Sequence, residues 1–161
     1  MPLALKDVLL LAHAACGVTG SMAALWVFVE ALNARPSNTR RIEIAALIAA
    51  FAIAATWICG GYWYVRFYAP EKILILGGPW PSAHNLFMET KEHLFFITAI
   101  LAFLLPIATR EKLHSSAPAR ALVLSVAALV VITGFALEGA GAVISHGAKI
   151  ALLDSASRGT R

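Results

Sequence analysis

The stretch 121–144 reads ALVLSVAALVVITGFALEGAGAVI and contains a single charged residue, Glu138. A helix needs about 20 apolar residues to cross ~30 Å of hydrocarbon, so this stretch predicts a membrane-spanning helix over about 119–146. Similar runs predict helices over about 8–32, 42–65 and 88–108. Because backbone groups must be paired in lipid and the connections are short, we expect antiparallel neighbours. The sequence therefore predicts an all-α, four-helix up-and-down transmembrane bundle in one domain, with a frayed C-terminal tail at about 150–161.

Composition supports a membrane protein. Hydrophobic residues make up 60% of the chain and charged residues 14%, against about 25% charged in soluble domains. The net charge of +4 comes from basic residues near the helix ends, where they serve as interfacial anchors and do not indicate nucleic-acid binding. The expected partners are the lipid bilayer and other membrane subunits or a second copy of the chain.

Two short loops carry a concentration of positive charge. Arg35, Arg40 and Arg41 lie between the first two helices, and Arg110, Lys112 and Arg120 lie between the last two. The positive-inside rule predicts that these loops are cytoplasmic. Both termini and the segment 66–89 are then expected on the periplasmic side.

Ionisable residues cluster toward one end of the predicted bundle. Alternating direction brings together the starts of helices 1 and 3 and the ends of helices 2 and 4. His13 and Glu138 lie inside predicted spans, while His93 and His146 lie at helix mouths. Burying such groups in a membrane is costly, which marks them as functional candidates. We expect them to converge on a shared pocket near one membrane face.

The first hypothesis for this pocket is haem b. Imidazoles from diagonal helices can take both axial positions of a haem, and His13 and His93 are the expected pair, with His146 in reserve. Glycines in the walls of the pocket leave room for the flat porphyrin ring. Basic residues at the aqueous end can pair with the haem propionates. The expected supporting residues are Gly17, Gly60, Trp57, Arg66 and Lys91.

A rival hypothesis is a bound iron, copper or other transition metal ion. Glu89 and His93 are i, i+4 neighbours on the third helix. Mixed carboxylate and imidazole ligands suit such ions. The candidate ligands are His13, His93, His146, Glu138 and Glu89. His84 in the loop and His114 beside Lys112 are expected to be solvated. The alternative for His84 is that it reaches the polar cluster from above.

Two short segments carry a family resemblance. One is Leu10-Leu11-Ala12-His13, followed by small residues and Trp26, and the other is Lys91-Glu92-His93-Leu94-Phe95-Phe96. In these the chain resembles the small four-helix bacterial membrane proteins that include the haem-binding membrane protoporphyrinogen oxidase and copper-resistance membrane proteins of the D type. The resemblance implies a haem ligand at His13, a functional lysine at Lys91 and a place in the bacterial inner membrane.

These observations predict a membrane b-type haem protein that works as an electron-transfer subunit of an oxidoreductase. It would exchange electrons between a quinone or a partner subunit and a periplasmic acceptor. Two alternatives stay open: a structural or assembly subunit of a larger membrane complex, and a metal-binding or metal-transporting membrane protein. No nucleophile-base arrangement or phosphate-binding loop is visible in the sequence.

Overall fold

A computed structural model describes residues 4–159 of the chain. These residues are almost entirely helical and contain no strand. Four segments are long and apolar enough to cross a membrane, which confirms the predicted four-helix bundle. The helices are α1 (Leu5–Leu32), α2 (Thr39–Gly77), α3 (Glu89–Ala108) and α4 (Ala117–Gly159), and a π-helical segment, Ala83–Met88, leads directly into α3.

Small residues hold the bundle together. Helix α1 packs against α2 and α4, and α3 packs against α4 and α2. Alanines on all four helices are fully buried in the main core, among them Ala24, Ala45, Ala49, Ala102 and Ala127. Because alanine projects only one methyl group, the helix backbones can approach closely, as small residues allow in membrane helix pairs.

Two helices extend well past their predicted ends. Helix α2 has 39 residues, a length of ~58 Å, and continues through Pro70 beyond the predicted end at 65. Helix α4 continues to Gly159, so the tail predicted to fray from about 150 is helical as far as the structure describes it. Both extensions are stabilised by packing: Tyr68 and Ile75 of α2 lie in a second buried cluster that includes Ala83 and Met88, and Ala148 of α4 packs against it.

This second cluster closes one end of the bundle. The turn after α2 and the π-helical segment lie across the ends of α2 and α4, and the Trp80 ring contacts Phe87 and His146 edge-on. Ala83 packs so tightly on Gly147 that a side chain at Gly147 would collide with it. We call this layer, residues 78–88, the cap.

The outer surface of the bundle is apolar. Phe51, Ile100 and Ile132 are among many large hydrophobic side chains that stay exposed along the spans. Such a surface is costly in water and suits contact with lipid tails. The structure is therefore that of a multi-pass membrane protein.

Candidate functional site

A cavity of about 600 Å³ lies between the four helices, next to the cap. This volume is typical of pockets that hold small molecules and cofactors. The walls are mostly apolar and aromatic, but they also carry several ionisable groups. Among the polar and glycine residues in the lining are His13 on α1, Thr56 and Gly60 on α2, Lys91 and Glu92 on α3, and Glu138 and Gly141 on α4.

His13 is held in place by helix α2. Its Nδ1 donates a hydrogen bond to the main-chain oxygen of Thr56 at 2.9 Å. A carbonyl can only accept, so Nδ1 carries the proton and Nε2 keeps a free lone pair in the neutral ring. The ring packs directly on Gly60, where an added Cβ would collide with it. The glycine is therefore what lets the imidazole lie flat between α1 and α2.

Glu138 and Lys91 face each other across the cavity. The Glu138 carboxylate lies against Gly17, and the Lys91 ammonium lies 2.9 Å from where a Cβ on Gly141 would be. The two charges attract each other, and Lys91 is also within electrostatic range of His13. Glu138 and Lys91 were both predicted as site residues, and each packs against a glycine. Together they form one polar centre in a mostly apolar cavity.

Sequence reasoning missed further residues of the lining. Glu71, Glu92 and Tyr64 also face the cavity. A signal for Glu92 was present in the spacing of Met88, Lys91, Glu92 and Phe95, which follows the i, i+3, i+4, i+7 pattern of one helix face. Tyr64 stands at the predicted end of the second helix, where no pattern marks it as a site residue, and Glu71 lies beyond the predicted end at 65.

His93 does not join His13. It is exposed on α3 and is not part of the cavity lining, and its Nδ1 donates to the main-chain oxygen of Glu89 at 2.6 Å. The physical reason is helical periodicity: two residues after Lys91 is about 200° around the helix. The structure therefore does not bring the predicted axial pair together. His146 is likewise exposed, with its ring edge-on to Trp80.

The remaining predicted site residues also divide between the cavity lining and other parts of the molecule. Trp57 lines the cavity, whereas Arg66 is exposed and Glu89 turns toward the cap. Within residues 4–159, no three His, Cys, Asp or Glu side chains form a group that could hold a metal ion. The proposed five-ligand set of His13, His93, His146, Glu138 and Glu89 is thus dispersed over the cavity, the exposed surface of α3 and α4, and the cap.

The cavity is not enclosed, and several residues that line it on α2 and α3 are strongly exposed. Trp57 and Phe96 both line it, and they are 55% and 59% exposed. Val65 on α2 is in the same position and even more exposed. In a membrane, apolar side chains exposed at this point contact lipid, so the cavity opens sideways toward the bilayer.

His84 lies in the cap and is buried, not solvated as predicted. Only 3% of its surface is exposed, and its Nδ1 is 3.0 Å from the Tyr68 hydroxyl. Its Nε2 faces the Glu89 carboxylate at 3.7 Å. Nothing in the sequence around His84 signals burial, because the contact depends on the unpredicted extension of α2 that carries Tyr68. His114 is exposed, as expected.

No protein-family model matches this chain, and no curated protein or solved structure does either. The fold and the site therefore define the class by themselves: a four-helix membrane protein with an internal, laterally open cavity that contains one oriented histidine.

Proposed function

We propose that the chain is a membrane haem b protein that takes part in electron transfer, with His13 as the protein ligand to the iron. The observation that carries the proposal is the hydrogen bond from His13 Nδ1 to the Thr56 main-chain oxygen. Histidines that bind metals almost always donate their other ring N–H to such an acceptor, which fixes the tautomer and orients Nε2 as the ligand.

The cavity residues fit a flat macrocycle with one protein ligand. Gly61 leaves open space on the α2 wall, and Trp57, Phe95 and Phe96 supply apolar and aromatic surface. Among the described lining residues, Lys91 is the basic one and would pair with a propionate. His93 is no longer part of the proposal, because it lies outside the cavity.

Haem, when bound, would supply an iron that gains and loses one electron. His13 would hold the iron, and the hydrogen bond to Thr56 would raise the basicity of its imidazole. The apolar walls would keep bulk water away from the cofactor.

The sideways opening supports a redox partner that arrives through the membrane. A lipid-soluble quinone or a neighbouring membrane subunit would approach at Trp57 and Phe96, where the cavity meets lipid. A periplasmic acceptor would approach from the cap end. Location in the bacterial inner membrane with periplasmic termini belongs to the same proposal.

The test is the porphyrin content of the purified protein. The chain is expressed in a haem-replete host, purified in lipid nanodiscs and assayed by visible absorption and as the pyridine haemochrome. We expect one b-type porphyrin per chain. A chain that carries no porphyrin, and takes none up when haem is added, would contradict the proposal and favour a structural or assembly role.

A further inference from the structure

The cavity lining contains a buried polar atom that the proposed haem site does not use. Glu92 lines the cavity, and its Oε1 is buried and accepts no hydrogen bond from any residue that the structure describes. Buried polar atoms are nearly always hydrogen-bonded, because leaving one unpaired costs free energy. An unpaired acceptor in the wall of a cavity therefore indicates a donor that arrives with a ligand.

The ammonium group of Lys91 does not supply this donor. Lys91 directly precedes Glu92 on α3, so the two side chains leave the helix about 100° apart. The Lys91 nitrogen lies beside Gly141 on α4 and interacts electrostatically with Glu138. Its charge is thus directed toward α4, and Glu92 Oε1 is left to accept a hydrogen bond from another molecule.

Glu92 lies close to the exposed edge of the cavity. Phe96 follows it by four residues, so the two side chains are one turn apart along α3 and about 40° apart around it. Phe96 and Trp57 of α2 both line the cavity and are strongly exposed. In a membrane these two side chains contact lipid, so a ligand that enters past Phe96 reaches Glu92 within one helical turn.

These features define the chemistry of the ligand. The apolar walls and the lipid-facing edge suit an apolar molecule that dissolves in the bilayer. An ionised carboxylate only accepts hydrogen bonds, so the head of the ligand must donate one. A hydroquinone carries hydroxyl donors on an apolar ring, whereas the corresponding quinone carries carbonyl oxygens that only accept. A carboxylate at this position therefore distinguishes the reduced form from the oxidised form.

We propose that the cavity binds the hydroquinone form of a membrane-soluble quinone, with Glu92 Oε1 as the acceptor for one of its hydroxyl groups. The apolar tail of the ligand extends past Trp57 and Phe96 into lipid. The choice of a redox-active ligand rests on the proposed electron-transfer function, but the contact with Glu92 requires no haem. The proposal concerns binding alone, so no covalent bond changes and no electron moves.

The experiment measures the binding of a tritium-labelled short-chain quinone, in both redox forms, to the purified full-length protein in lipid nanodiscs. A scintillation proximity assay gives the two dissociation constants, and nanodiscs without protein give the background. Hydroquinone binding is measured under argon with ascorbate, and quinone binding is measured without reductant. We expect the hydroquinone to bind more tightly by on the order of tenfold, because the quinone leaves a buried acceptor unpaired.

A matched pair of variants assigns this preference to Glu92. Glu92→Gln replaces a group that only accepts by an amide that also donates, so the two dissociation constants should become about equal. Glu89→Gln makes the same change three residues earlier on α3, at a half-exposed position outside the cavity lining, and should keep the wild-type ratio. Because the ratio compares two ligands on one protein, partial loss of folded protein leaves it unchanged.

The porphyrin content of each sample is measured in parallel, so that this proposal and the haem proposal can fail separately. A chain that carries no porphyrin but prefers the hydroquinone would contradict the haem site and support the hydroquinone site. Whatever the porphyrin content, three results would overturn the hydroquinone site: no saturable binding, equal affinity of the wild type for both redox forms, or a wild-type ratio in Glu92→Gln.

Discussion

His13 and Thr56 are joined by two hydrogen bonds that run in opposite directions. The His13 ring donates to the Thr56 main-chain oxygen, and the Thr56 hydroxyl donates to the His13 main-chain oxygen, each at 2.9 Å. One pair of residues therefore both connects α1 to α2 and orients the imidazole. The ring contact uses the backbone of Thr56, whereas the second contact uses its side chain, so mutation can separate the two.

Replacing Thr56 with valine should weaken the bundle but keep the histidine oriented. The variant loses the hydroxyl donor and keeps the carbonyl acceptor, so we expect a loss of about 1 kcal/mol of unfolding free energy. Reversible unfolding in mixed micelles measures this. Thr19→Val is the control, because the Thr19 hydroxyl is exposed and bonds only within its own helix, to Ala15. Equal losses in both variants would show that the connection between the helices adds nothing.

Neighbouring glycines on α2 should respond differently to alanine. A Cβ at Gly60 would collide with the His13 ring, whereas nothing lies within 4 Å of a Cβ at Gly61. We expect Gly60→Ala to lose cofactor binding and about 1–3 kcal/mol of stability through overpacking. Gly61→Ala should preserve both. Pyridine haemochrome assays and unfolding curves measure the two effects, and retention of full cofactor content in Gly60→Ala would contradict the described position of His13.

Filling the cavity should exclude the cofactor without unfolding the protein. Gly61 lines the cavity with open space in front of it, so the side chain of Gly61→Leu would occupy volume that a ligand needs. Gly139→Leu is the matched control, since Gly139 on α4 is also open but lies outside the lining. We expect the porphyrin content to fall only in Gly61→Leu, with similar thermal unfolding of both variants. An equal porphyrin content would place the binding site elsewhere.

The fold was largely predictable, because membrane-spanning segments can be recognised from the length and apolar composition of their sequence. Twenty or more apolar residues can satisfy their backbone in lipid only as a helix, and four such runs with short loops leave few arrangements. The ends of α2 and α4 were less predictable. Tyr68 and Ile75 are ordered into helix by burial against the cap, and such tertiary packing leaves no periodic signal that outweighs Pro70 and the glycines that follow.

The depth of the site residues in the membrane was predictable, but the direction in which each side chain points was not. Antiparallel helices bring His13, Gly60, Lys91 and Glu138 to one level, and the structure places all four in the cavity lining. His93 is at the same end of α3 but on the exposed surface. Whether a residue near a helix mouth points inward depends on the rotation of the helix, and the apolar pattern fixes that rotation poorly when all sides contact lipid or other helices.

Lys91 and Glu138 should be energetically coupled. Each faces the other inside the cavity, so removing one charge leaves its partner unbalanced in an apolar environment. A double-mutant cycle with Lys91→Met and Glu138→Gln should give a coupling of about 1 kcal/mol or more in unfolding free energy. The ion pair of Arg41 and Glu30 lies outside the cavity, with the Arg41 side chain 61% exposed, and is the control that should show little coupling. Additive losses at Lys91 and Glu138 would mean that the two charges act independently.

The most direct test of the central claim compares His13→Ala with His93→Ala. Both variants remove one imidazole near the same end of the bundle, but only His13 lies in the cavity with its Nδ1 bonded to Thr56. Visible absorption of the purified proteins, with porphyrin content per chain, is the measurement. The account predicts that His13→Ala loses the haem spectrum and that His93→Ala keeps it. A haem spectrum that survives in His13→Ala, or disappears in His93→Ala, would contradict it.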